Sequence, residues 1–277
     1  MLNFKISLNN SNLYLLIFLL ISALEAIFLP QMIPLSVILG IIALLMYLFS
    51  HFLTKKYLST STNDKITQTS FLILTIFALR FMTFSSSDLA NNITNGIFVA
   101  GQIAFLIQIV PLNLFIIQHC INMGFSFDEL GLKFKKMNFQ KTFTMTVATA
   151  SLCFFYALMS NQLQVFSHLF TISFALNILV GIITTTFIEE LLVRGVLFSH
   201  LMRITGTIEP TRLRFTIIVC VNTLVFVLLH NWFLVFNIQW LLTAILISLF
   251  GCISRFYCNN ISLVIILHAF INFLVSQ

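Results

Sequence analysis

The chain has 277 residues, of which 59% are hydrophobic and only 8% charged, with 32 Phe and a mean hydropathy of +1.04. That balance excludes an ordinary soluble domain and implies a multi-pass membrane protein. The net charge of +6 lies in short clusters between apolar runs, as topology signals do, which argues against a nucleic-acid partner.

Apolar runs long enough to cross ~30 Å of hydrocarbon as helices fall at about 13–29, 34–53, 66–84, 97–119, 141–160, 167–203, 213–231, 235–253 and 260–276. The first run ends in Phe28-Leu29-Pro30 rather than at a small-residue cleavage site, so it reads as an uncleaved anchor. No alternation of period two supports a barrel, and a backbone in lipid must satisfy its own hydrogen bonds. The expectation is an all-α, polytopic bundle of about eight to nine transmembrane helices. The run at 167–203 is too long for one straight span, and a break near Asn177 or Gly181 is expected within it.

The connections sort by charge. Lys55, Lys56 and Lys65 fall in one, Lys133, Lys135, Lys136 and Lys141 in another, Arg203, Arg212 and Arg214 in a third, and Arg255 in the last. With Lys5 and Arg194 on the same side, 13 of the 14 Lys and Arg residues lie inside and Arg80 outside, so the amino terminus is expected in the cytoplasm. The polar stretch from Gly124 to Gln140 divides the chain into residues 1–140, an N-terminal set of helices with a basic loop, and a core at 141–277. That loop reads as a juxtamembrane segment that holds topology and meets anionic lipid. The five cysteines are scattered and imply no disulfide framework.

Three patterns set ionisable groups inside apolar helices: Glu189-Glu190-x-x-x-Arg194, Phe226-x-x-x-His230 and His268-x-x-x-Asn272. A charge there costs roughly 2.5–3.5 kcal/mol even on lenient insertion scales, so such groups are rarely idle. Adjacent helical residues point about 100° apart, whereas positions four apart share a face. Glu190 therefore faces Arg194, and a structural ion pair is the favoured reading for these two. Glu189 must find its partner on another helix. At ~1.5 Å per residue, Glu189 lies ~21 Å from Arg203, His230 ~24 Å from Arg214 and His268 ~20 Å from Arg255, so the three share one layer near the midplane.

A poorly solvated carboxylate is a good proton acceptor. It can take a proton from water and return it to a leaving group, with a histidine to orient the water. The second histidine and the Asn272 amide supply N–H donors for an oxyanion. Together these groups describe hydrolysis of an amide. Phe226 reads as a wall of the site or plain core, and His51, His119, His168 and His200 as packing residues. Glu189, His230 and His268 are also a zinc set by residue type. No H-E-x-x-H is present, and the apolar walls offer few carboxylates to orient the ligands, so a site without metal is expected.

In this order and inside hydrophobic helices, the patterns EExxxR, FxxxH and HxxxN resemble the CPBP intramembrane protease family. That family is also called the ABI or CAAX protease family, and its eukaryotic branch includes the prenyl-protein endopeptidase Rce1. The likeness covers roughly residues 170–276. It implies a bundle of about eight core helices enclosing an intramembrane cavity, and a glutamate-dependent endopeptidase that needs no bound metal, although the family is often labelled metalloprotease. Position by position, Glu189 and His230 activate water, His268 and Asn272 form the oxyanion site, and Glu190 and Arg194 support them. The implied partner is a membrane-associated peptide or protein, prenylated or bacteriocin-like. The expected location is a bacterial inner membrane. A non-catalytic immunity or scaffold protein that keeps the fold is the alternative, and a proton-coupled transporter comes third.

Overall fold

The computed structural model describes residues 13–14, 16–17, 19–20, 33–60, 64–93, 100–133, 139–159, 179, 182–209, 211–231 and 238–275. Every regular element among them is helical: α1 (Ile33–Ser59), α2 (Lys65–Ile93), α3 (Ala100–Asn122), α4 (Phe139–Met159), the π-helix π1 (Ile182–Thr186), α5 (Phe187–Glu190), a second π-helix π2 (Leu191–Leu197), α6 (Phe198–Ile204), α7 (Thr211–Asn231), α8 (Ile238–Cys258) and α9 (Ser262–Val275). Among the described residues, Gln140–Met159, Thr211–His230 and Leu241–Cys258 are long and apolar enough to cross a membrane. The protein is therefore a helical membrane protein.

Two elements differ from the sequence expectation. Helix α9 has 14 residues where a span over 260–276 is expected, about 21 Å at 1.5 Å per residue and short of the hydrocarbon thickness. The run at 167–203 holds two π segments on either side of the one-turn α5. The expected break positions, Asn177 and Gly181, lie outside the described residues. In π1 the sequence is Ile-Ile-Thr-Thr-Thr, a β-branched run that loses side-chain freedom against the preceding turn and favours α geometry weakly.

The chain forms two compact units. The first comprises residues 1–125 and 183–188. Within it α1 packs on α2 and α2 on α3, around Leu72, Ile76, Leu79, Phe115 and Ile116. His119 of α3 is buried and shares a 2.8 Å hydrogen bond with Thr54 of α1, as a packing histidine does. Asn113 donates from Nδ2 to the Ile183 carbonyl at 2.6 Å and so serves the irregular backbone of π1.

The second unit comprises residues 126–182 and 189–277. There α8 packs against α7, α9 and α4, α9 against α4, and π2 against both α7 and α8. Its core is π2 itself, all seven residues of which are buried, Arg194 included. All three motifs lie in this unit. The five cysteines are free.

Candidate active site

The two glutamates end the single α-turn between the π segments, and their divergent directions divide the site in two. Glu190 faces Arg194, whose Nη1 lies 3.2 Å from Oε2, with both side chains fully buried. The Arg194 guanidinium stands 3.9 Å from the centroid of the Phe226 ring, so it stacks on an aromatic face as well as on a carboxylate. Phe226 is thus the floor under Arg194. Its ring also meets His230 at 4.2 Å and His268 at 5.4 Å between centroids.

Glu189 finds its partners on other helices, as the offsets require. Its Oε2 lies 3.0 Å from His230 Nε2 on α7 and 3.4 Å from His268 Nε2 on α9. These approaches are close in distance but not aligned as hydrogen bonds. The other ring nitrogens explain why. His230 Nδ1 is 2.9 Å from the Phe226 carbonyl, which only accepts, so the proton sits on Nδ1 and Nε2 of a neutral ring is bare. His268 Nδ1 is 2.7 Å from Glu190 Oε1 and donates to that carboxylate. Two imidazole Nε2 atoms and a carboxylate oxygen then face one another. A shared proton or a cation is what makes such a group stable.

Glu189 and His268 are buried, whereas the His230 side chain is 21% exposed. Of the three, His230 is the one whose side chain is partly open at the surface of the described residues. Asn272 stands one turn beyond His268 and is half-buried. Among the described residues it shares no hydrogen bond with the cluster.

Residues 170–274 match the family model described as type II CAAX prenyl endopeptidase Rce1-like. This segment is an Rce1-like domain of the CAAX protease family. Comparison with curated proteins finds no match, and comparison with solved structures finds none either.

The Rce1-like domain adds three things to the motif residues. Glu190 is more than the partner of Arg194, because it holds the Nδ1 proton of His268 and so joins the cluster around Glu189. Gly251 of α8 makes room for the arginine: a Cβ there would lie 2.8 Å from Arg194 Nε and 2.9 Å from Val264 Cγ2. A lone glycine in an apolar helix is the signal for such a close approach. Arg255, which reads from sequence as a topology marker, is buried against the π2 backbone.

The same domain also fits a divalent cation. One donor atom each from Glu189, His230 and His268 lies within 4.8 Å of the others, the number of protein ligands in open catalytic zinc sites. Each imidazole has its Nδ1 on an acceptor, which orients Nε2 as metal ligation needs. The scarcity of orienting carboxylates inferred from sequence does not hold for His268, because Glu190 stands in that position. The inter-helix packing that brings it there is not written in either motif alone.

Proposed function

We propose that the protein is an intramembrane endopeptidase that hydrolyses one peptide bond of a membrane-associated substrate, of the prenylated or bacteriocin-like kind. The observation that carries the reading is the 3.0 Å approach of Glu189 Oε2 to His230 Nε2 at the exposed edge of a buried, motif-built cluster. Glu189, with His230, takes a proton from water as the oxygen attacks the scissile carbonyl. The carbonyl oxygen becomes an oxyanion. His268, flanked by two carboxylates and carrying a proton on each nitrogen, donates from Nε2 to it, and the Asn272 amide donates beside it. Glu189 then passes its proton to the leaving nitrogen, the C–N bond breaks, and a carboxyl and an amine terminus are released. Arg194 keeps Glu190 in place, and Glu190 accepts the His268 Nδ1 proton and so fixes the direction of the ring.

Where a metal is bound, Glu189, His230 and His268 would hold it, and it would supply Lewis-acid activation of water. The protein sits in a bacterial inner membrane with eight or nine helices crossing it and the amino terminus in the cytoplasm. The charge distribution of the connections supports that orientation.

The test compares wild type with Glu189→Gln, matched for expression, by mass spectrometry of membrane-associated peptide termini in cells. New termini that vanish in the variant are expected. Identical profiles, with the wild-type phenotype retained by Glu189→Gln, would move the reading to a non-catalytic immunity or scaffold protein.

A further inference from the structure

The loop at 126–132 lies outside the matched segment, yet it is bound into the scaffold of the site. Arg255, on α8, is 3% exposed, and its guanidinium serves two backbones at once. Nε donates to the Arg194 carbonyl at 3.2 Å, while Nη2 donates to the Glu129 carbonyl at 2.7 Å and reaches the Asp128 carbonyl at 3.3 Å. Nη1 donates to Asn259 Oδ1 at 2.6 Å. From the other side, Ser199 Oγ donates to the Glu129 carbonyl, and Arg203 grips the Glu129 carboxylate through Nε at 2.8 Å.

Two glycines permit the fit. Gly131 has φ +72°, and a Cβ there would lie 3.1 Å from Arg255 Cζ. A Cβ on Gly195 would lie 2.9 Å from the Leu130 carbonyl oxygen. The loop is therefore seated on π2 at backbone contact distance.

The choice of carbonyl is informative. At the end of π2 the N–H of Phe198 is directed at the carbonyls of Gly195 and Val193, three and five residues back, and not at that of Arg194 between them. Helix α6 then resumes four-residue pairing, and a change of register of this kind passes over one carbonyl. Arg255 Nε supplies a donor to the carbonyl of Arg194, at that turn. The residue whose backbone is fixed in this way is the one whose side chain holds Glu190, and Glu190 holds His268.

We propose that Arg255 is a positioning residue: it clamps loop 126–132 to the backbone of Arg194 and thereby fixes the Arg194–Glu190–His268 chain. The clamp stands on geometry alone, whereas its effect on turnover rests on the endopeptidase reading above.

The test uses the full chain in nanodiscs, as wild type, Arg255→Gln, Arg255→Lys and Ser199→Ala. Amide hydrogen exchange is read by mass spectrometry. Both Arg255 variants are expected to exchange faster, by roughly tenfold or more, in peptides over 126–132 and 191–200 while α7 and α9 keep wild-type protection. Ser199→Ala, which leaves Arg255 in place, is expected to loosen the loop alone. Unchanged exchange in Arg255→Gln overturns the proposal, and so does a uniform rise over all helices.

Steady-state cleavage of a farnesylated CAAX peptide supplies the second readout. A misplaced catalytic group lowers kcat by roughly ten- to hundredfold, and KM is expected to stay within about twofold because no substrate contact is removed. Arg255→Lys should fall between, since one ammonium cannot serve both backbones. Wild-type kcat in Arg255→Gln overturns the positioning role. If wild type and Glu189→Gln leave identical termini in cells, the endopeptidase reading fails, and the exchange pattern alone decides the clamp.

Discussion

Replacing Arg194 by Met removes the charge that Glu190 is buried against and keeps most of the volume. At 3.2 Å and an effective dielectric of about 20, the Coulomb attraction of the pair is ~5 kcal/mol. Much of that offsets the desolvation of two ions, so the quantity to measure is what remains when one partner goes. Breaking a buried pair costs about 3–5 kcal/mol, because the survivor stays uncompensated. The lost stacking on the Phe226 ring at 3.9 Å adds up to about 2 kcal/mol in a desolvated setting. Arg194→Met should therefore destabilise by about 3–7 kcal/mol. Adding Glu190→Gln removes the orphaned charge and should recover about half. The assay is a double-mutant cycle on equilibrium unfolding in detergent micelles. A loss under about 1 kcal/mol for Arg194→Met, or strictly additive losses in the double variant, would refute a coupled buried pair.

Two further outcomes are expected. In Gly251→Ala the new Cβ meets Arg194 and Val264 below 3.0 Å, and Arg194 is fixed by Phe226 and Glu190. The overpacking should cost about 1–3 kcal/mol and slow cleavage, which unfolding and rate measurements on one preparation will check; a neutral alanine would mean that the helices separate freely there. The Glu129 carboxyl is pushed up by partial burial, but the Ser126 backbone and hydroxyl and the Arg203 guanidinium outweigh this and hold it below its usual 4.5. A depressed carboxylate lends stability that is present above the unfolded value and lost as pH falls through the folded one. Limited proteolysis of the loop at 126–133 should accelerate as pH falls below about 4.5, and Glu129→Gln should abolish that dependence.

The site is legible in the sequence because its members are expensive where they stand. Glu189, His230 and His268 announce themselves against Leu, Ile and Phe, and the spacing of Glu190 and Arg194 gives their ion pair directly. The bridge from Glu190 to His268 is not legible, since it depends on how α9 packs beside α5 rather than on spacing along either helix. Asn272 is on the expected face of α9 but takes no part in the hydrogen bonds that join the other residues. Arg255 misleads for a plain reason. A basic residue at a helix end looks the same in sequence whether it faces water and headgroups or folds back onto carbonyls. The loop at 126–132 misleads likewise, because polar composition does not reveal that its own carbonyls are the groups being bound. The π segments leave only a β-branched run as their trace.

Those segments bear on how the stretch tolerates change over generations. Each π turn carries a residue more than an α-turn needs. A deletion in one is absorbed as four-residue pairing, and the residues on either side keep their faces. Elsewhere in a helix a deletion turns everything beyond it by about 100°. The first π turn thus lets the stretch change length without turning Glu189 away from His230 or Glu190 away from Arg194.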